Sequence, residues 1–492
     1  MKKRIELGED ALTMLVSASF SISPLKFKGD WSVIMSNDKK PSANFGSRFG
    51  YIMVAAGAAI GLGNIWKFPY LAYGGGGGAF IVVYIILCII LGHPVVEMET
   101  AIGRYAKTNA IDAYGVINPK WKFAGAVNVI CTVMIDMYYI IVSGYVLKYA
   151  IAYLLGGHFG TDKEAYYMNF ISDPILPLVY AGILMIIIVL LLSKGITELV
   201  EKVTKVIMPL LFVLLLICGF WALFAFDGAI EGLKFYLIPD FSKFTWKTFA
   251  DACMQVMFSV GIGWAIFTTL GASVKDSANI RKDSMMVTIC DTAVALTAGF
   301  VIIPSVVGSG SEMAAGPSLV FLAMTEIFSK LPGGNILGFF FFTALIFAVL
   351  STYFTILEIP VKCIEEKCKI NHRKATWITA IIIMIGGVFC SLSQGFGLLS
   401  GVKLPWWAYG SGVVYYNIYD WIDCFSGYVL LPLGCLLTAF YCCKVWGYKE
   451  YEKELTKGGR DGKLTKYDKF VMTIAVPVLT LIVILNCFGF IK

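Results

Sequence analysis

From residue 49 to residue 491 the chain is a succession of apolar runs separated by mostly short polar loops. Each run is near the roughly 20 residues a helix needs to cross the hydrocarbon core of a bilayer. The runs are continuously apolar, whereas a barrel strand would alternate apolar and polar positions. Lipid offers no water to unpaired backbone groups, so continuous runs of this length read as helices. The pattern predicts spans at 49–73, 79–106, 121–154, 175–193, 198–226, 248–274, 285–309, 335–365, 374–394, 420–446 and 468–490. The expected fold class is all-α: a polytopic membrane protein of about eleven transmembrane helices, with a single transmembrane domain over 45–492 and no soluble enzyme domain.

Composition agrees. Of 492 residues 58% are hydrophobic and 15% charged, against roughly 25% charged in soluble domains, and the mean hydropathy is +0.76. A net charge of +7 would suit nucleic acid, but the Lys and Arg residues lie in the loops between spans. With the N-terminus inside, 31 of the 40 Lys and Arg fall on that side and seven on the other: Lys163, Lys234, Lys243, Lys247, Lys330, Lys403 and Lys492. Lys67 and Lys148 lie within spans. This asymmetry orients the chain in the plasma membrane with a cytoplasmic N-terminus and, after eleven spans, an extracellular C-terminus. Most of the 13 Cys sit inside apolar runs, among them Cys88, Cys131, Cys218, Cys253, Cys290 and Cys390, with no paired C-x-x-C spacing. They read as small hydrophobes. Three His exclude a histidine-based metal site, and GGRDGKLT (458–465) fails as a phosphate loop because Lys457 and Leu464 stand where Gly and Ser or Thr are needed. Residues 1–34 show no span-length run, whereas Met35 opens MSNDKKPSANFGSRFG. The expectation is a cytoplasmic segment 1–44 that is disordered or whose natural start is Met35.

Two spans are rich in glycine. The first reads GAAIGLGNIWKFPY, with Gly57, Gly61, Gly63 and Pro69, and the sixth reads FSVGIGWAIF, with Gly261 and Gly263. Mid-helix glycine weakens a helix by nearly 1 kcal/mol relative to Ala. Close packing of small residues would account for one such segment. Two at matching places in a five-plus-five repeat point to a site between unwound helices. Bared carbonyls and half-helix C-termini suit Na⁺, and half-helix N-termini suit a carboxylate, which together favour a zwitterion beside a cation. Asn64, the Ser259 hydroxyl, Asp291, and Ser351 and Thr352 after Ala348 supply oxygen for a hard cation. Each hydroxyl alone reads as bonded back to its own helix. Asp136, beside Ile135, either faces a water-filled passage or pairs with a polar neighbour, the latter being favoured.

SRFGYIMVAAGAAIGLGNIWKFPYLAYGGGGGAF, MYYIIVSGY, QVMFSVGIGW, DTAVALTAGFVIIP and FAVLSTYFTILEIPV, in this order and spacing, resemble the neurotransmitter:sodium symporter family, including the bacterial leucine transporter and its relatives. The likeness covers about residues 42–490. It implies an inverted repeat (45–230 and 245–447, with an additional helix at 468–490), two Na⁺ ions and no organic cofactor. The first Na⁺ would meet the Ala59 carbonyl, Asn64, Ser259, Asp291 and the substrate carboxylate. The second would meet carbonyls of Gly57, Ile60 and Ala348 and hydroxyls of Ser351 and Thr352. The substrate carboxylate would meet the Leu62 and Gly63 amides and the Tyr139 hydroxyl. Its amino group would meet carbonyls of Ala59, Phe258 and Ser259, and its side chain would face Ile135, Tyr139, Phe258, Gly261, Trp264, Thr352 and Ile356. The outer gate would combine Lys67 with Asp423 and Phe258 with Tyr139.

Several positions depart from the family pattern. Lys67 replaces the usual Arg of the outer gate and lacks its fork; interfacial snorkelling is the other reading of this residue. Ser42 and Phe45 stand where the inner gate has Arg and Trp, opposite Glu366, with Lys39 or Lys40 as substitutes. Glu97 and Glu99 suggest a structural or gating network near the inner end of the second span. Ala295 stands where chloride-dependent relatives carry Ser and some bacterial ones Glu, so Asp291 is expected to replace the anion. Trp264 takes the place of a smaller ring, which favours glycine or alanine as substrate. The resulting expectation is a chloride-independent, sodium-coupled importer of a small amino acid working by alternating access. The alternative is an amino-acid sensor on the same scaffold. No nucleophile–base pair supports an enzyme, the partners expected are amino acid, sodium and lipid rather than nucleic acid, and the sequence leaves the oligomeric state open.

Overall fold

The computed structural model describes residues 44–195, 199–225, 227–310, 313, 316–408, 411–457 and 462–491. The readings made for 1–34, Met35, Lys39, Lys40 and Ser42 lie outside them. Helices dominate, as the runs require. They are α1 (Arg48–Ala59), α2 (Leu62–Gly74), α3 (Gly78–Ala106), α4 (Pro119–Leu154), α5 (Leu176–Leu192) and α6 (Glu201–Ala225). Then follow α7 (Trp246–Val260), α8 (Ile266–Gly271), α9 (Ile280–Ser309), α10 (Gly334–Cys368), α11 (His372–Leu392), α12 (Ile418–Leu455) and α13 (Lys466–Cys487).

Among the described residues eight helices are long and apolar enough to cross a membrane, and ten if two bent pairs each count as one span. One bent pair is α1 with α2, turned by 65°; the other is Lys163–Ser172 with α5, turned by 73°. The span expected at 248–274 is two pieces, α7 and α8, joined through residues 261–265. The molecule is a multi-pass membrane protein whose outer surface carries Ile, Leu, Val and Phe side chains open to lipid, such as Ile186, Leu190, Phe220, Ile381 and Leu481. The departure from an all-helical reading is a hairpin, β1 (Leu404–Ala408) against antiparallel β2 (Gly412–Tyr416). Trp406, Val413 and Tyr415 are typical strand residues, but the run is too short to register against 20-residue spans.

The interrupted helices are central. α1 packs against α6, α9 and α10, α7 against α3 and α13, and α8 against α3. α1 stops where Ile60 leaves helical geometry (ψ 88°) and Gly61 is extended. At the second break Gly261 and Gly263 have φ of 82° and 86°, a region that costs other residues about 1–2 kcal/mol. Ala265 shares it at φ 67°.

One end of the bundle is tied by charged pairs. Arg48 bonds Asp283 at 2.6 Å, Arg104 bonds Glu454 at 2.6 Å in near-complete burial, and Arg281 bonds Glu97 at 2.8 Å. Glu366 accepts from Thr108 Oγ1 at 2.6 Å and from Asn109 Nδ2 at 2.7 Å, so it holds the turn after α3. Glu97 and Glu99 are two residues apart, on nearly opposite faces of α3, and part company. Glu97 accepts from Tyr451 OH at 3.1 Å within the charged end, whereas Glu99 turns inward to the second break.

Candidate transport site

The two breaks face each other and share a polar cluster. Gly61 N–H donates to Asn64 Oδ1 at 3.1 Å, which closes the turn from α1 into α2. The Asn64 amide nitrogen then points away from the turn and donates to Asp291 Oδ1 at 2.6 Å and to Ser259 Oγ at 2.8 Å. Ser259 Oγ donates to Asp291 Oδ2 at 2.9 Å and accepts from Tyr84 OH at 3.0 Å. All four side chains are buried. The Asn64 oxygen, the atom the sequence offers to a cation, accepts from Gly61 N–H, and the N–H side of the amide faces the Asp291 carboxylate. Ala59 comes up to Gly261, its Cα 3.8 Å from where a Cβ on that glycine would stand.

A second cluster lies where α1 ends against α10. Thr352 Oγ1 sits 3.2 Å from the Gly57 carbonyl oxygen and 3.0 Å from that of Ile60. Ser351 Oγ bonds back to the Phe347 and Ala348 carbonyls, each at 2.9 Å. Gly57 is the point of closest approach, since a Cβ there would be 2.9 Å from Ser351 Cβ. The donor set is carbonyl and hydroxyl oxygen, buried and uncharged, which suits a hard monovalent cation. Among the described residues no group of three or more His, Cys, Asp or Glu could hold a metal.

Between the clusters lies the start of α2. Leu62 N–H donates to Tyr139 OH at 3.2 Å. Phe258 and Trp264 stack with ring centres 5.8 Å apart, and Ile135 and Ile356 are fully buried. Gly63 has no room for a side chain, because a Cβ would stand 2.5 Å from Phe258 Cε1. The second break is held by two side chains: Gly263 N–H donates to Glu99 Oε1 at 2.7 Å, and Thr132 Oγ1 donates to the Trp264 carbonyl. Gln255 Nε2 of α7 reaches the first break instead and donates to the Gly63 carbonyl at 3.3 Å.

The chain matches the sodium:neurotransmitter symporter family over residues 42–156 and 174–490. It belongs to that family. As a family member it is 31% identical over 459 residues to the sodium-dependent transporter YhdH of Bacillus subtilis, covering 92% of this chain and 99% of that one. It is 25% identical to the sodium- and chloride-dependent glycine transporter 1 of Xenopus laevis, covering 84% of this chain and 73% of that one. Its structure resembles that of MhsT in complex with L-phenylalanine at a TM-score of 0.81 and 32% identity, covering 91% of this symporter and all of MhsT.

The structure brings Gly57, Ile60, Ala348, Ser351 and Thr352 together, and likewise Asn64, Ser259 and Asp291. It does not pair Lys67 with Asp423. The Lys67 ammonium lies 4.7 Å above the Phe258 ring and 5.2 Å from the Tyr428 ring centre, held by the π faces. Nor does Asp136 find the polar partner expected of it. Among the described residues neither carboxyl oxygen is hydrogen-bonded, because the hydroxyl that α10 offers, Tyr353 OH, is spent on the Asp136 backbone carbonyl at 2.8 Å. Tyr84, Gln255 and Thr132 were not singled out from the sequence. Inside apolar runs each reads as an ordinary core residue, and only the folded chain gives it a partner.

Proposed function

We propose that this symporter imports a small amino acid, glycine or alanine, with two Na⁺ by alternating access, and that it does so without chloride. Two buried oxygen clusters carry the reading, one between the facing helix breaks and one where α1 ends against α10. In it, the first Na⁺ meets the Ala59 carbonyl, Asn64, Ser259, Asp291 and the carboxylate of the amino acid. The second meets Gly57, Ile60, Ala348, Ser351 and Thr352. The amino-acid carboxylate rests on the Leu62 and Gly63 amides at the start of α2, where the helix dipole favours an anion, and on Tyr139. Because substrate and first ion share a carboxylate, each raises the other's affinity by the same factor.

Chloride independence follows from Asp291. Its fixed negative charge already lies against Asn64 and Ser259, and a second anion there would be repelled. The small substrate size is argued from Trp264, a large ring that stacks on Phe258. Lys67 and Asp423 close the outer side after substrate enters. The two-repeat organisation and the cytoplasmic N-terminus belong to the same proposal, supported by the matched breaks and the loop charges. A larger aromatic substrate is the second reading, favoured by the L-phenylalanine in MhsT.

The test is uptake into proteoliposomes under a Na⁺ gradient against all twenty amino acids, with chloride and then with gluconate. Saturable uptake of glycine or alanine in both buffers is expected. Phenylalanine outcompeting alanine would transfer the assignment to the second reading. Collapse in gluconate would remove chloride independence, and binding with no flux would make the protein a sensor.

A further inference from the structure

The described cysteines are all free thiols, and most are buried inside single helices. One pair differs. Cys424 Sγ on α12 and Cys487 Sγ at the end of α13 are 3.8 Å apart, and both residues are partly exposed. A disulfide needs sulfurs about 2.05 Å apart, so side-chain rotation and a small shift would bring the two together. α13 begins at the charged end, where Asp468 lies 3.4 Å from Arg281, and it runs to Cys487 at the opposite end. By the loop-charge orientation that opposite end is extracellular, where disulfides persist.

What surrounds the pair gives it mechanical leverage. Cys424 directly follows Asp423, the acid of the proposed outer gate, and stands two residues before a π-helical turn, Ser426–Leu430. Such turns interrupt regular helix bonding and occur often at functional sites. Asn486, next to Cys487, donates to Asp251 Oδ1 of α7 at 3.1 Å. Phe488 stacks on Trp406 of the hairpin with ring centres 5.5 Å apart. The end of α13 therefore touches the gate-bearing part of α12, the first half of the interrupted α7–α8 span and the hairpin together.

We propose that Cys424 and Cys487 form a reversible disulfide that fastens the outer part of α12 to α13 and slows opening of the outer gate. The reaction is thiol–disulfide exchange with a small extracellular disulfide. One thiolate attacks a sulfur of that disulfide and expels one thiol. The second thiolate then displaces the mixed disulfide and expels the other. The pair loses two protons and two electrons, and the oxidant becomes two thiols. The gating consequence rests on the transport reading above; the bond itself does not.

The experiment treats full-length protein in right-side-out vesicles with oxidised glutathione, followed by non-reducing peptide mapping and initial-rate uptake. A linked peptide joining Cys424 and Cys487 is expected, two hydrogen masses lighter than its parts. Uptake should fall at least about threefold and recover with dithiothreitol. Cys424→Ser and Cys487→Ser should each transport normally before oxidation and ignore the oxidant afterwards. The bond is refuted if both thiols stay reactive to an impermeant maleimide and no linked peptide forms. Labelling only after the vesicles are opened would refute the extracellular placement. A linked peptide with unchanged uptake, or equal slowing in Cys487→Ser, would refute the gating role. Because the linked peptide is read without transport, its absence and a failure of uptake are separate results.

Discussion

Thr352 concentrates the second oxygen cluster in one atom. Its hydroxyl spans two carbonyls that α1 leaves unpaired as it stops, those of Gly57 and Ile60. Thr352→Val keeps the shape and removes the oxygen. The Na⁺ concentration for half-maximal uptake should rise about tenfold, equivalent to about 1.4 kcal/mol, with little change in the amount of folded protein; an unaltered sodium dependence would take Thr352 out of the site. Asp291 has the complementary role in the first cluster, where it supplies charge. Asp291→Asn keeps the hydrogen-bonding outline while removing the negative charge. Uptake in gluconate should fall at least about tenfold, and added chloride should restore part of it. If chloride makes no difference to the variant, the carboxylate is not standing in for an anion. Both residues were legible as oxygen-bearing side chains near breaks. Which way the Asn64 amide would face was not, because that depends on Asp291, 227 positions away in the chain.

At the scale of elements, the interruptions decide where ions and substrate can meet peptide groups. The second break needs glycine for two separate reasons at residue 263. Its φ of 86° is left-handed, and a Cβ would stand 2.3 Å from the Leu431 carbonyl oxygen on α12. Gly263→Ala should therefore cost about 2 kcal/mol or more from backbone strain and overpacking. The readout is a thermal midpoint in detergent several degrees lower, together with loss of uptake; a variant with normal midpoint and flux would show that the break tolerates a side chain. The G-x-G spacing made this element readable from the chain alone, since glycine in mid-span is costly without a reason. The short hairpin and the bend before α5 escaped because neither has a length or period that stands out among spans of 20 residues.

For the whole molecule, polar pairs fix how helices far apart in sequence sit together. Arg104 is the strongest instance: its side chain is fully buried, bonds Glu454 at 2.6 Å and also reaches the Ala278 carbonyl at 2.9 Å. It thereby joins α3, α12 and the loop before α9. Arg104→Ala takes from the buried Glu454 its closest partner, leaving only Lys457 at 3.8 Å, and should cost about 3 kcal/mol. Fluorescence-detected size exclusion after heating should show a lower midpoint and a smaller folded peak. A smaller loss is expected for Arg104→Lys, which keeps the charge without the fork. An alanine variant as stable as the parent would mean that helix packing alone holds this end closed.

Membrane residence, the approximate spans and the two breaks follow from the chain by itself, because hydropathy and mid-helix glycine act through local physical chemistry. So does the stock of oxygen ligands. Tertiary structure alone decided that Glu99 holds the second break while Glu97 joins the charged end, that Tyr84 supports Ser259, that Lys67 lies over Phe258, and that the Asp136 carboxyl goes without a partner among the described residues. It also set the sulfurs of Cys424 and Cys487 side by side. Apolar helix faces gain little by choosing one neighbour over another when lipid is equally apolar, so scattered polar groups and tight glycine contacts select the arrangement. Their partners lie tens to hundreds of residues away, beyond the reach of any local pattern.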